Sequence, residues 1–267
     1  MNFFSWLFKR KPKKVKLGLA LGSGGAKGFA ELGIIKAFEE NNINFDVIAG
    51  TSIGSIIGAF LADGYTSTDI YELLKRLDYS EIKSTFMIGM DTSGLYSVLT
   101  RHLGGKKIEE LKKPFFVVTT ELDTGEEVDF NAGDTALVLS ASSSYPPYFK
   151  PVIIDGKRYI DGAFVNSVPS DLAKKLGADY VVGVDLANHN AKPGLIEKIF
   201  PTYKSKVEVP WEKGYKYADT MLKPNLDEFK AISFKSADKM FEIGYETALN
   251  EIPKIKKDID NFFKKKK

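Results

Sequence analysis

Cysteine is absent from the 267 residues, which removes disulfide staples, thiolate nucleophiles and cysteine-ligated metals together. Histidine is scarce. His102 and His189 are the two present, and neither belongs to a His-x-x-x-His or Glu-x-x-His pair, so the spacing of a zinc hydrolase is missing and no metal is expected. No uninterrupted apolar run approaches the roughly 20 residues that a spanning helix needs, and a soluble, cytoplasmic chain is the expectation. Net charge is nearly absent too: 38 basic against 35 acidic side chains leave +3, too weak a field for a dedicated nucleic-acid binder. With 43% hydrophobic residues, the chain can bury a substantial core. Neither a repeat nor a linker divides it, so a single large domain is the simplest reading.

What is present reads as alternating strands and helices. Val15-Lys-Leu-Gly-Leu-Ala-Leu21 is a buried first strand, and Gly22-Ser-Gly-Gly-Ala-Lys-Gly28 follows it directly. From Ala26 to Asn42 the apolar positions recur at three- and four-residue steps, predicting a helix with one buried face. Phe45–Ala49 predicts a second strand, running through Gly50-Thr-Ser-Ile-Gly54 into a helix over 55–62 that Asp63-Gly64 ends. The order strand, helix, strand, turn, helix begins a parallel sheet covered by helices. Beyond it, 68–77 predicts a helix, 114–122 a β-branched and aromatic strand, and 127–131 its hairpin partner around Asp123-Thr-Gly125. A short helix follows Asp134, then the loop Ser142-Ser-Ser-Tyr-Pro-Pro147. Val152–Ile154 and Lys157–Ile160 flank Asp155-Gly156, a hairpin signal, and the second arm leads into Asp161-Gly-Ala163. A helix over 169–177 and a strand over 180–186 complete the regular part; from Asn188 the chain is less regular and then helical.

Chemistry concentrates in three blocks. Gly50-Thr-Ser52-Ile-Gly54 matches Gly-x-Ser-x-Gly, the sharp strand-to-helix turn that pushes a serine outward between small residues. The helix that follows aims backbone N–H groups and its positive dipole end at Ser52, although an ordinary turn with a capping serine has the same pattern. A serine that forms an acyl-enzyme needs preorganised donors for the oxyanion, and the glycines at 22, 24, 25 and 28 permit the close approach and positive φ that converge amides. A phosphate cradle is the competing reading, and its spacings fail. A Walker loop needs Gly-Lys before Ser or Thr, and in Gly-x-Gly-x-x-Gly the third glycine position is Lys27, so no nucleotide or other cofactor is expected. For the base, two residues compete. Ser52, Asp161 and His189 could fill a Ser…Asp…His triad, while Asp161 ends a strand with Gly162 and Ala163 leaving room around it. His102, beside Arg101, reads as a surface residue.

Taken together and in this order, Gly22–Gly28, Gly50–Gly54 and Asp161–Ala163 resemble the patatin-like phospholipase family, as do Ser144-Tyr-Pro-Pro-Tyr-Phe149 and Phe241-Glu-Ile-Gly-Tyr-Glu-Thr-Ala248. The likeness spans about 15–248. It implies a three-layer α/β/α domain with a mainly parallel sheet and hydrolysis of a lipid acyl ester through an acyl-serine. It also implies a Ser52–Asp161 dyad, an oxyanion hole at Gly24 and Gly25 shaped by Gly22 and Gly28, and no cofactor. The family often carries Arg where this chain has Lys27, and Gly where it has Ala163. A free aspartate, with pKa about 3.9, is a feeble base toward an alcohol, so the dyad requires a dry, partly apolar site. The rival functions are a triad esterase using His189 and a non-enzymatic regulator that retains the fold.

The ends carry a different signal. Phe3-Phe-Ser-Trp-Leu-Phe8 next to Lys9-Arg-Lys-Pro-Lys-Lys14, and Phe262-Phe263 before four lysines, join interfacial aromatics to basic clusters, a pattern suited to peripheral contact with the cytoplasmic face of an anionic membrane and equally to solvated basic tails whose aromatics pack on the domain. The N-terminal order is the reverse of a signal peptide. The expected organisation is therefore an aromatic and basic segment over 1–14, the hydrolase domain over 15–250 and a basic helix or tail over 251–267; 188–211, polar and carrying Pro193, Pro201 and Pro210, is a candidate lid.

Overall fold

The computed structural model describes residues 15–76, 89–189 and 206–265. The N-terminal segment 1–14, most of the candidate lid and the last two lysines lie outside the described residues. Eight strands form one mixed sheet: β1 (Leu17–Leu21), β2 (Val47–Thr51), β3 (Phe115–Glu121), β4 (Glu127–Phe130), β5 (Val152–Ile154), β6 (Lys157–Asp161), β7 (Tyr180–Val184) and β8 (Thr220–Leu222). Hydrogen bonding orders them β5-β6-β3-β2-β1-β7-β8, with β4 also on β3. Strands β3, β2, β1, β7 and β8 run parallel; β4, β5 and β6 pair antiparallel. The helices are α1 (Gly28–Glu40), α2 (Ile53–Asp63), α3 (Ser67–Arg76), α4 (Ser93–Leu103), α5 (Thr135–Ser142), α6 (Ser170–Lys175), α7 (Glu212–Tyr217) and α8 (Ala237–Lys265).

Central strands are apolar on both faces, as expected when helices cover both sides. Leu17, Leu19, Leu21, Ile48, Val117, Val182 and Val184 join the larger core with α1, α2 and α8. The alternate positions Ala20, Val47, Ala49, Phe116, Val118 and Val181 meet Leu172 and Ala173 of α6. Period-two alternation thus sorts one set of strands into two cores, which is the three-layer arrangement. Asp155 and Gly156 hold φ of 49° and 79° at the β5–β6 turn, the positive values a two-residue hairpin loop needs. Strand β1 begins two residues later than the pattern reading and ends with it at Leu21, β2 is displaced by two residues, α1 begins at Gly28 after a 3-10 turn over Gly25–Lys27, and Ser142 closes α5 instead of opening a loop. Neither α4 nor β8 has a counterpart in that reading. Helix α8 runs unbroken across residue 250.

One detail of register decides where chemistry can happen. Strand β2 pairs with Ile48↔Phe115 to Thr51↔Val118, and β6 pairs with Asp161↔Thr119 to Tyr159↔Glu121. The opposite edge of β3 is taken over 117–120 by β4. A strand has two edges, so β2 and β6 must lie end to end on the same edge of β3. Their C-terminal ends, Thr51 and Asp161, therefore meet at adjacent register positions. Among the described residues, no helix is long and apolar enough to cross a membrane.

Helices α1 and α8 cross at Gly33 and Gly244. A Cβ at Gly33 would fall 1.9 Å from the Phe241 carbonyl oxygen, and one at Gly244 would fall 1.9 Å from that of Ala30. Alanine is the better helix former by about 1 kcal/mol, but overpacking backbone against backbone costs roughly 1–3 kcal/mol or more. Gly33→Ala and Gly244→Ala should each lower the urea midpoint; an unchanged or raised midpoint would show that the helices separate freely.

Candidate active site

Ser52 stands between β2 and α2 with φ 55° and ψ −125°. A non-glycine residue held there stores on the order of 1–3 kcal/mol of strain, so its surroundings must over-determine it. They do so from both sides. The Ser52 carbonyl accepts Ser55 N–H at 2.9 Å and the Ser55 hydroxyl at 2.6 Å. The Ser52 N–H donates to Ser142 Oγ at 2.9 Å, and that hydroxyl donates to the Val118 carbonyl at 2.7 Å. The flanking glycines are steric requirements: a Cβ at Gly50 would meet the Gly54 oxygen at 2.4 Å, and one at Gly54 the Leu21 oxygen at 2.5 Å.

Across the β2–β6 junction, the Ser52 hydroxyl donates to Asp161 Oδ2 at 2.7 Å. The other carboxyl oxygen accepts Ala163 N–H at 2.9 Å, and the backbone is held by Asp161 N–H on the Ser144 carbonyl and by the Thr120 hydroxyl on the Asp161 carbonyl. Asp161 is 1% exposed. Burial pushes its carboxyl up to about 7, and the hydrogen bonds from Ser52 and Ala163 only partly oppose that rise.

The glycine loop lies beside them. Gly22 N–H donates to Glu31 Oε1 at 2.7 Å, and Ser23 N–H to the Ser167 carbonyl at 3.0 Å. Glu31 is fully buried in α1, where burial raises its carboxyl well above the usual range, and it anchors the loop through the Gly22 amide. The amides of Gly24 and Gly25 have no partner among the described residues, and both glycines line the cavity that contains Ser52. Gly25 has φ 56°, and a Cβ at Gly28 would strike Ile53 at 2.4 Å. Lys27 lines the same cavity half-buried; desolvation lowers its pKa against the charges of Asp227 and Asp185.

His189 is committed elsewhere. Its Nε2 bonds Asp185 Oδ2 at 2.7 Å, and its ring stacks on Trp211 at 3.8 Å. Asp185 also accepts Tyr215 O–H at 2.7 Å and Ala187 N–H at 3.0 Å. With Ser52 and Asp161 bonded directly, no imidazole stands between them, and the triad reading finds no geometric support. His102 lies in α4, lining a different depression. Among the described residues no group of histidine and carboxylate side chains can hold a metal ion.

Sequence reasoning did not find Glu31, Ser142, or the Asp185–Tyr215 contact. Glu31 had a signal, a carboxylate on the apolar face of α1. Ser142 had none, being 90 residues from its partner.

The cavity over Ser52 measures about 1100 Å³. Ile53, Ile56, Phe60, Leu74, Leu95 and Leu99 are among the side chains that line it, together with polar groups such as Lys27 and Asn188, a mostly apolar lining with a few polar groups. The sequence model of the patatin-like phospholipase family matches residues 19–174, a span holding the glycine loop, Ser52 and Asp161. The chain belongs to the patatin-like phospholipase family. Patatin-like phospholipase domain-containing protein 6 of Homo sapiens is 26% identical over 86% of this chain, and lysophospholipase nte1 of Aspergillus niger is 26% identical over 91%. This chain spans about a fifth of the length of those relatives, 20% and 18% respectively. Among solved structures, VipD from Legionella pneumophila superposes with a TM-score of 0.59 at 16% identity, over 89% of this chain and 66% of that one. The ExoU–SpcU complex of Pseudomonas aeruginosa gives 0.50 at 16% identity, over 91% and 52%. At such identities the likeness is one of fold, the patatin-like α/β arrangement.

Burying Asp161 has a stability consequence. Below pH 3.8 the carboxyl is protonated folded or unfolded; above it the unfolded chain ionises first, so stability declines until about pH 7, where the folded form ionises too. A rise from 3.8 to about 7 corresponds to roughly 4 kcal/mol. Asp161→Asn should therefore raise the melting temperature more at pH 8 than at pH 4. Equal shifts at both values would mean that the carboxyl titrates normally.

Proposed function

We propose that this patatin-like chain hydrolyses fatty acyl esters of phospholipids or related lipids, with Ser52 as nucleophile and Asp161 as general base. The observation that carries the reading is the 2.7 Å contact between Ser52 Oγ and Asp161 Oδ2 at the floor of a large apolar cavity. In the first half-reaction Asp161 takes the hydroxyl proton as Ser52 Oγ bonds the acyl carbon. The carbonyl electrons move onto oxygen, where the Gly24 and Gly25 amides receive the charge. Collapse of the intermediate expels the alcohol, which takes the proton from Asp161. In the second half-reaction Asp161 accepts a proton from water as it attacks the acyl-serine, then returns it to Ser52, releasing the fatty acid.

Burial supports this assignment on energetic grounds. A base near pKa 7 is matched to neutral pH, whereas an ordinary carboxylate is too weak to take a hydroxyl proton efficiently. The strained backbone keeps the hydroxyl in place without any motion during the reaction, and the helix that begins at Ile53 directs its N-terminal dipole at the same region. The names of the relatives, a phospholipase domain-containing protein and a lysophospholipase, support lipid esters as the substrate class.

A fluorophosphonate tests the nucleophile by intact mass: wild type should gain one adduct, Ser52→Ala none, Asp161→Asn should react at least about a thousandfold more slowly, and His189→Ala should label normally. Loss of labelling in His189→Ala would replace the dyad with a triad. No labelling of folded wild type would overturn hydrolysis altogether. In steady-state assays kcat/KM should climb about tenfold per pH unit below pH 7 and level off above it, following ionisation of Asp161; a profile flat from pH 5 to 8 would remove Asp161 as the base.

A further inference from the structure

One segment outside this machinery touches the glycine loop. Residues 229–234, between β8 and α8, place the Ala231 carbonyl on the Ala26 N–H at 2.6 Å. The same oxygen lies 2.4 Å from where a Cβ at Gly25 would stand, so Gly25 is required both by its φ and by this strap. Phe234 fixes one end edge-on against Phe29, at 6.0 Å and 88°, and the Lys239 ammonium covers Phe229 at the other, 5.4 Å from the ring centre. Between these anchors Ile232 is 47% exposed, yet with Ala231 and Phe234 it lines the cavity over Ser52. Val209 is 39% exposed beside Pro210 and Trp211, which line the same cavity.

Within 229–235 both charged side chains are basic, while Glu208 and Glu212, next to Val209 and Trp211, are exposed acids on the other side of the rim. Lys230 and Lys235 flank Ile232, both exposed, and neither has an ion-pair partner among the described residues. Of the nearby acids, Glu228 is taken by Lys239 at 2.7 Å, and the charge of Asp227 acts on Lys27. A branched apolar side chain at the mouth of an apolar cavity, between two free ammonium groups, asks for a partner that supplies hydrocarbon and negative charge in one surface.

We propose that residues 229–235, with Val209 and Ile232 at the rim, are the surface by which this protein docks on an anionic lipid bilayer. Ile232 enters the boundary between headgroups and acyl chains while Lys230 and Lys235 meet the phosphates. Because the strap is hydrogen-bonded to Ala26, the docked surface and the glycine loop move as one piece. The inference rests on reading the cavity as a lipid site, but its test needs no turnover.

The absence of cysteine allows one reporter to be placed cleanly. In the full chain carrying Ser52→Ala, Ile232→Cys is labelled with a polarity-sensitive fluorophore, and Ile153→Cys, on the far sheet edge at 64% exposure, serves as the control. Vesicles of phosphatidylcholine with phosphatidylglycerol should blue-shift the label at 232 and leave that at 153 unmoved. Phosphatidylcholine alone, or high salt, should give a weaker shift. In co-sedimentation, Lys230→Glu with Lys235→Glu should weaken binding to the anionic vesicles roughly tenfold, since each lysine near such a surface contributes a several-fold factor. Vesicle binding with no shift at 232, equal shifts at both sites, unchanged affinity of the double variant, or no binding would overturn the proposal. Fluorophosphonate labelling stands apart from every one of these readouts, so failure of docking and failure of hydrolysis are separable.

Discussion

Strands β2 and β6 share one edge of β3, and everything at the site depends on that shared edge. Each strand is short, and neither could hold a reactive group in place alone. Because both pair with consecutive residues of β3, Val118 and Thr119, the ends of two segments 109 residues apart are set at the spacing of one step along a strand. Hydrogen-bonded ladders do not slide by fractions of a residue, so the meeting of Ser52 and Asp161 is as rigid as the sheet. Gly162 extends the same constraint: a Cβ there would fall 2.4 Å from the Val118 carbonyl, so the chain can leave β6 closely only without a side chain.

Around this junction the protein accepts two local costs. One is the backbone of Ser52, kept at positive φ by bonds to Ser142 and Ser55 and by glycines whose replacement would push backbone into backbone. The other is the dry environment of Asp161, which opposes its ionisation. Both are the kinds of local instability that persist where a site is pre-organised and the rest of the fold is well packed. Glu31 is a second buried carboxyl, and there too burial favours the neutral form, but it bonds the backbone of Gly22. Two carboxyls in adjoining regions thus take different parts because one meets a hydroxyl and the other an amide.

The glycine loop is held from inside and outside. From inside come Glu31 on Gly22 and the Ser167 carbonyl on Ser23; from outside comes the Ala231 carbonyl on Ala26. Between those fixed points the Gly24 and Gly25 amides are left unpaired at the cavity wall. Membership in the patatin-like phospholipase family accounts for the loop, the serine turn and the aspartate as a set, since all three fall within the matched span. The strap from β8 to α8 lies beyond that span, as does the Asp185–Tyr215–His189–Trp211 cluster.

Fold class was legible because strand and helix periods differ: the continuous apolar run at 15–21 and the three-and-four spacing after Ala26 admit few other readings. The Asp155-Gly156 hairpin was legible because only certain residues tolerate its φ values. Element ends were less so, since α1 and α2 begin without a side-chain cap that the sequence could announce. Ser52 and Asp161 could be named from motifs, but the choice between an aspartate and a histidine partner could not be made from spacing. His189 satisfies the chain order of a triad, and only packing shows it bonded to Asp185 and stacked on Trp211. By itself, then, the sequence determined the layered architecture and the residue types available for chemistry, because backbone periodicity and turn sterics are local. The tertiary structure alone decided which side chains meet, how dry Asp161 is and which loop rests on the glycines, because register and burial arise from contacts between residues far apart in the chain.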